Sequence, residues 1–223
     1  MAAPLLIHGF IVNGTTTRGR SRLTTARGFT LVQLVVVIAV MGVLAGMAVP
    51  ATSQLIGNLR LSGDARSLTN TISLTKLRAA SHFTKARLFV DLSGKSYHIE
   101  TWQKSPGAWV NDASDGTTYL SSSGESYSFG VVSTPPPNSQ AAIAQSPACL
   151  TAAGATIGNT ACVVFNSRGI PVTDVVGGTG GPTNVHALYL TDGQAVFGVT
   201  VSATSVIQLW RTFPLATPNW QMQ

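Results

Sequence analysis

From Phe29 to Val49 the chain carries 21 consecutive residues without a charge, and Pro50 is the first proline after them. As a helix such a run would span roughly 31 Å, enough for the hydrocarbon core of a bilayer. Arg18, Arg20, Arg22 and Arg27 precede it, and the first 28 residues contain no acid. Positive charge on one flank predicts that this flank stays in the cytoplasm and that everything after Pro50 is exported. Two other readings of the run stay open. One is a Sec signal peptide with Val49-Pro50-Ala51 as its small-residue site, although the apolar core would exceed the usual ~7 to 15 residues. The other is a plain single-span anchor carrying an unrelated outer domain.

The junction itself is more specific. Gly28 is followed by Phe29-Thr30-Leu31-Val32-Gln33-Leu34 and then by the apolar run. This resembles the class III signal of type IV prepilins and type II secretion pseudopilins. The resemblance implies that a prepilin peptidase cuts after Gly28 and that the new N-terminus, Phe29, is methylated. It also places Gly42 and Pro50 where many pilins carry a helix-loosening glycine and a proline, residues that weaken a helix through backbone entropy and a lost donor. Together with Gln33 these are the expected filament contacts. The family usually has Glu where this chain has Gln33, and that carboxylate pairs with the N-terminal amine of a neighbouring subunit. Gln can hydrogen-bond but cannot neutralise a charge in an apolar setting. A scarce subunit, or one at a filament tip, fits better than an abundant one.

Composition agrees with an exported domain. Without the four leader arginines, ten basic residues face eight acidic ones, so the high overall charge is largely a property of the leader. The remaining 195 residues suffice for one core of ordinary size. The expected organisation is a cytoplasmic leader at 1–28, a membrane or filament-core helix at 29–49, a periplasmic continuation at 50–85 and a globular antiparallel β domain at 86–223. Cys149 and Cys162 are the only cysteines. In an oxidising compartment they read as a disulfide, the alternative being two free buried thiols.

Beyond Pro50 the helical period continues. Leu61, Ala65, Leu68, Ile72, Thr75 and Ala79 recur at steps of three and four and predict a helix that buries one face against a sheet. Arg60, Arg66, Lys76, Arg78, Lys85 and Arg87 oppose only Asp64 between residues 60 and 87. This is either a solvated face near anionic lipid or acidic neighbours, or a surface for nucleic-acid phosphates.

From Ala86 the period changes to two. Arg87 to Leu92 and Ser96 to Trp102, around Ser93-Gly94-Lys95, predict a hairpin. Further strands are expected at Ser126 to Val132, Ala161 to Asn166, Val185 to Leu190, Ala195 to Val201 and Val206 to Trp210. Ser133 to Thr160, with Pro135-Pro136-Pro137, reads as a long exposed loop pinned at its end, and Gly177-Gly178-Thr179-Gly180-Gly181 as a flexible one.

The order of elements, with Val163 to Gly169 and Ile207 to Arg211, resembles the GspH/FimT family of minor pseudopilins and minor pilins. The resemblance implies a pilin-like α+β fold: a long N-terminal hydrophobic helix packed on an antiparallel sheet. It also implies assembly with other pseudopilins or pilins after a stay in inner-membrane lipid. Some members bind DNA through a basic Gly-Arg-x-Arg element near the C-terminus, but here Ser167-Arg168-Gly169 and Trp210-Arg211-Thr212 each carry one arginine. DNA is therefore the less favoured partner.

Signals for catalysis are weak. Ser93-Gly94-Lys95-Ser96 ends like a phosphate loop, yet the glycine needed five positions before Gly94 is Phe89. His82, His98 and His186 are scattered, and Asp112, Asp115 and Asp192 match no calcium-loop spacing. No cofactor, metal site or enzymatic activity is expected; a minor pilin of a pilus or DNA-uptake system and an exported enzyme remain as the other functions.

Overall fold

A computed structural model describes residues 30–111, 116–175 and 180–223, with the side chains of 47–54 excepted. The chain divides into two compact units, Met1–Gly46 and Met47–Gln223. Among the described residues one helix, α1, runs Leu31–Ser81, and nine strands follow: β1 Ala86–Asp91, β2 Ser96–Gln103, β3 Ala108–Asn111, β4 Thr118–Tyr119, β5 Thr160–Phe165, β6 Ala187–Thr191, β7 Val196–Val201, β8 Ile207–Thr212 and β9 Gln221–Met222. The class is α+β, as expected, but the strands form two antiparallel sheets, not one. The first has the order β3-β2-β1-β5 with β4 also on β2, and the second the order β6-β7-β8-β9.

The stripe predicted on the helix is the core of the second unit. Leu61, Ala65, Leu68, Ile72, Thr75 and Ala79 are all fully buried. The apolar members join Leu88, Val90 and Ile99 of the first sheet and Leu188, Leu190 and Val199 of the second in one cluster. Burying a face of this kind stabilises by roughly 25 cal/mol per Å² of apolar area.

The predicted hairpin is β1 and β2, paired from Ala86↔Thr101 to Asp91↔Ser96. Its turn is built by Asp91, whose Oδ1 accepts the N–H groups of Ser93 (3.0 Å) and Gly94 (2.7 Å) and the Ser93 hydroxyl (2.8 Å). A Cβ at Gly94 would lie 2.5 Å from Asp91 Oδ2, which is why the turn needs glycine there. These bonds, the Gly94 one foremost, hold the Asp91 carboxyl below its usual range.

Two expectations are corrected. Ser126 to Val132 is not a strand: only Ser126 bridges, to Thr191, because Gly130 takes φ 56° and Val132 N–H turns back to Phe129 O. Nor is Ser133 to Thr160 a free loop. Gln145 Nε2 donates to Tyr189 O and its Oε1 accepts from Tyr189 N–H, both at 2.9 Å, and Ser146 N–H reaches Ala187 O at 2.7 Å. The segment thus covers the outer edge of β6, which would otherwise offer unpaired backbone to another strand. It then crosses to the first sheet, where Cys162 N–H donates to Pro147 O and Cys149 is bonded to Cys162 with Cα atoms 5.0 Å apart.

Candidate functional site

The first unit offers one surface. Along Leu31–Gly46 every side chain is exposed, Leu31 at 78% and Met41 at 64%, and none is charged. A helix apolar on all sides has no polar face to give to water and needs an apolar environment around it. Its start is capped: Thr30 Oγ1 accepts the Gln33 N–H at 3.2 Å, and Thr30 O accepts the Leu34 N–H. Thr30 and Gln33 thereby form the first half of a capping box. The threonine is legible as a cap from its place three residues before a glutamine and ahead of an apolar run.

Gln33 and Gly42 are nine residues apart, two and a half helical turns, so they lie on opposite faces of α1. They do not make one patch. Gly42 has open space where a Cβ would stand. Pro50 lies inside α1, which continues through it, and its side chain is outside the described residues. Gly28 and Phe29, the cleavage and methylation positions, are also outside them. Among the described residues no helix is long and apolar enough to cross a membrane; the described side chains of the apolar run extend only over Leu31–Gly46.

The second unit decides what the basic segment does. Arg87 was counted with the helix charges, but it sits on β1, 2% exposed. Its Nε donates to Glu100 Oε2 at 2.6 Å, its Nη1 to Leu150 O at 2.6 Å and to Asp174 Oδ2 at 3.4 Å, and its guanidinium stacks 4.2 Å from the Trp109 ring. The two carboxylates respond differently. Burial would raise Glu100, but hydrogen bonds from His98 and Arg87 and the Arg87 charge outweigh it and hold the carboxyl low. For Asp174 burial prevails over Arg87 and Lys85, and the carboxyl is pushed up. Glu100 is accordingly the principal partner, as its shorter distance requires.

Lys85 donates to Val175 O and lies 5.0 Å from the Trp102 ring, and burial lowers its pKa. Lys76 donates to Ser205 O at 3.1 Å. Arg60 and Arg66 are exposed. Three of the six cations, Arg87, Lys85 and Lys76, therefore hold internal contacts, while Arg60 and Arg66 face solvent.

His98 stacks on Phe89 at 4.9 Å, His82 is exposed, and His186 is buried with Nε2 3.1 Å from Val172 O. Among the described residues no group of three or more His, Cys, Asp or Glu could hold a metal ion. Asp112 and Asp115 fall outside the described residues. A cavity of about 370 Å³ beside the disulfide is lined by Leu150, Cys162, Val164, Thr173, Asp174 and His186.

No protein-family model matches the sequence, and no curated protein matches it significantly. Two solved structures of the minor pseudopilin EpsH from the type II secretion system of Vibrio cholerae are similar to the chain. One has 12% identity and a TM-score of 0.42, covering 67% of this chain and 95% of that one. The other has 13% identity and a TM-score of 0.41, covering 72% and 95%.

Proposed function

We propose that the chain is a minor pseudopilin, made as a membrane-inserted precursor and assembled into the filament of a type II secretion system. A prepilin peptidase removes residues 1–28, and Phe29 becomes the methylated N-terminus. The apolar helix waits in the inner membrane with the globular unit in the periplasm. It is then drawn into a bundle with other pseudopilins, where neighbouring helices replace lipid as its apolar surroundings. The observation that carries this reading is the helix Leu31–Gly46, apolar and exposed on every side, placed directly after the Arg-Gly-Phe-Thr-Leu junction. Gln33, Gly42 and Pro50 act within that bundle.

The second unit supports an assembly role through its shape, not its chemistry. Its edge at β6 is covered and Arg87 is paired inside, while Phe213 and Leu215 after β8 and Met222 on β9 are exposed and available to neighbours. The DNA-uptake reading loses support because Arg87, Lys85 and Lys76 are committed to internal contacts.

Co-expression of the full chain with a prepilin peptidase tests the proposal. Intact-mass analysis should show loss of 28 residues and a methylated Phe29, and Gly28→Val should leave the precursor uncut because the protease needs a residue without a side chain there. Cleavage near Ala51 would assign the chain to Sec-dependent secretion instead.

A further inference from the structure

Between β4 and β5 the chain lays a short strap, Ser121 to Ser126, from helix α1 to the second sheet. At its start the Ser121 N–H and hydroxyl donate to Asp64 Oδ2 and Oδ1, both at 2.6 Å. At its end Ser126 and Thr191 exchange backbone bonds of 2.9 and 3.0 Å. Asp64 lies three residues after Leu61 and four before Leu68, on the margin of the buried stripe. Next to the Ser126 end is Glu125, 1% exposed, whose carboxyl oxygens have no well-formed hydrogen bond and lie near the Ser122 backbone and the Asp64 side chain.

The charges around Glu125 make this a poor place for an anion. From α1 it faces Asp64, and from the turn after β6 it faces Asp192, whose Oδ1 is occupied by the Gln194 and Ala195 N–H groups. Tyr97 of β2 is bonded to Ser67, and Tyr127 is buried with its hydroxyl unpartnered; both are neutral. Lys95, from the β1–β2 turn, donates to the Ser123 carbonyl at 2.6 Å, and Arg60, one turn before Asp64, is exposed. An ionised Glu125 would have two anions beside it and at most the Ser122 N–H as a donor, an unfavourable arrangement. A neutral one can donate its single O–H to Asp64.

We propose that Glu125 holds a proton at neutral pH and shares it with Asp64, making the strap a pH-operated clasp between helix α1 and the second sheet. Burial first, and then the Asp64 and Asp192 charges, push the Glu125 carboxyl up to about 8 from its ordinary 4.5. The native state then binds more protons than the unfolded chain between these two values. Stability from the clasp is complete below pH 4.5 and falls as pH rises towards 8. The proton loss opens the Ser121–Asp64 end first, because that is where the new repulsion acts.

Thermal unfolding of the full-length protein in detergent, followed from pH 5 to 9, is the test. Over that range the unfolding constant should rise by up to about tenfold per pH unit from this group. Glu125→Gln, which keeps the donor and cannot ionise, should remove that slope and raise Tm at pH 8.5. A wild-type slope unchanged by Glu125→Gln overturns the proposal. So does a rise in Tm at pH 8.5 on adding calcium or magnesium that Glu125→Gln abolishes, since the pair would then hold a metal cation and not a proton. If Glu125→Gln does not fold, infrared difference spectra of wild type and Asp64→Asn decide. A protonated carboxyl band present at pH 7 in wild type and shifted or lost in Asp64→Asn supports the clasp; its absence in wild type, or a band that Asp64→Asn leaves unmoved, rejects it.

Discussion

Two stretches of helix α1 use the same residue types for opposite ends. Leu31–Gly46 is apolar on every side and every side chain is exposed. Leu61 to Ala79 is apolar on one stripe only, and every member of the stripe is fully buried. The second stretch finds its partners in its own chain: Leu88, Val90 and Ile99 from one sheet, Leu188, Leu190 and Val199 from the other. On the proposed function, the partners of the first are lipid or other helices. Apolar content alone says that surface will be buried; its distribution around the helix says by whom.

The largest effects should come from putting a charge into each stretch. Ile72→Asp places an unpaired carboxylate in the core of the second unit and should prevent folding. Even the milder Leu68→Ala should cost about 2–5 kcal/mol. Ile38→Asp should leave Tm in detergent unchanged and release the protein from membranes, where a central acid costs roughly 2.5–3.5 kcal/mol per residue. Membrane fractionation and circular dichroism read the two separately. If Ile38→Asp lowered Tm as Leu68→Ala does, the first stretch would have an intramolecular partner and the contrast would fail.

Next comes the disulfide, which should act on one region only. Cys149 and Cys162 are 13 residues apart, and closing that loop contributes roughly 3 kcal/mol on the chain-entropy model. Reduction, or the Cys149→Ala, Cys162→Ala double variant, should lower Tm by several degrees and leave membrane retention as it was. Two titratable thiols in protein taken from the periplasm would show that the bridge does not form there.

What could be read from the chain was what depends on near neighbours. The stripe from Leu61 to Ala79 follows from a 3.6-residue period, and the β1–β2 hairpin from alternation around the Gly-containing turn Ser93-Gly94-Lys95. β3, β4 and β9 are four, two and two residues long and left no period to detect. Arg87 was misread because its partners Glu100, Leu150 and Asp174 lie 13, 63 and 87 residues away, where a local charge count cannot see them. The edge cover by Gln145 is of the same kind, with its partner 44 residues on. Glu125 sits in a Ser-Ser-Ser-Gly-Glu run that reads as solvent-facing until the strap is seen against Asp64. At the candidate assembly site, the nine-residue spacing of Gln33 and Gly42 sets them on opposite faces of α1, so their shared membership of one apolar run does not make them one patch.

The smallest effect concerns Gln33, and it separates local from intermolecular chemistry. As the third helical residue, with its N–H on Thr30 Oγ1, it occupies a position where a carboxylate would interact favourably with the helix N-terminus. Gln33→Glu should therefore strengthen the cap by about 0.3–1 kcal/mol at most, a change below what Tm of the whole protein resolves. In an assembled filament the same substitution would supply a charge for the amine of a neighbouring Phe29. A filament made mostly of this chain would bury many such amines, each unpaired while residue 33 is Gln, and an unpaired charge in an apolar bundle is costly. The wild-type chain should then be present at low copy number, with Gln33→Glu incorporated as well as or better than wild type. Quantitative mass spectrometry of sheared filaments measures both. Were the wild-type chain the dominant filament protein, residue 33 would have no part in neutralising that amine, and the first stretch would assemble on packing alone.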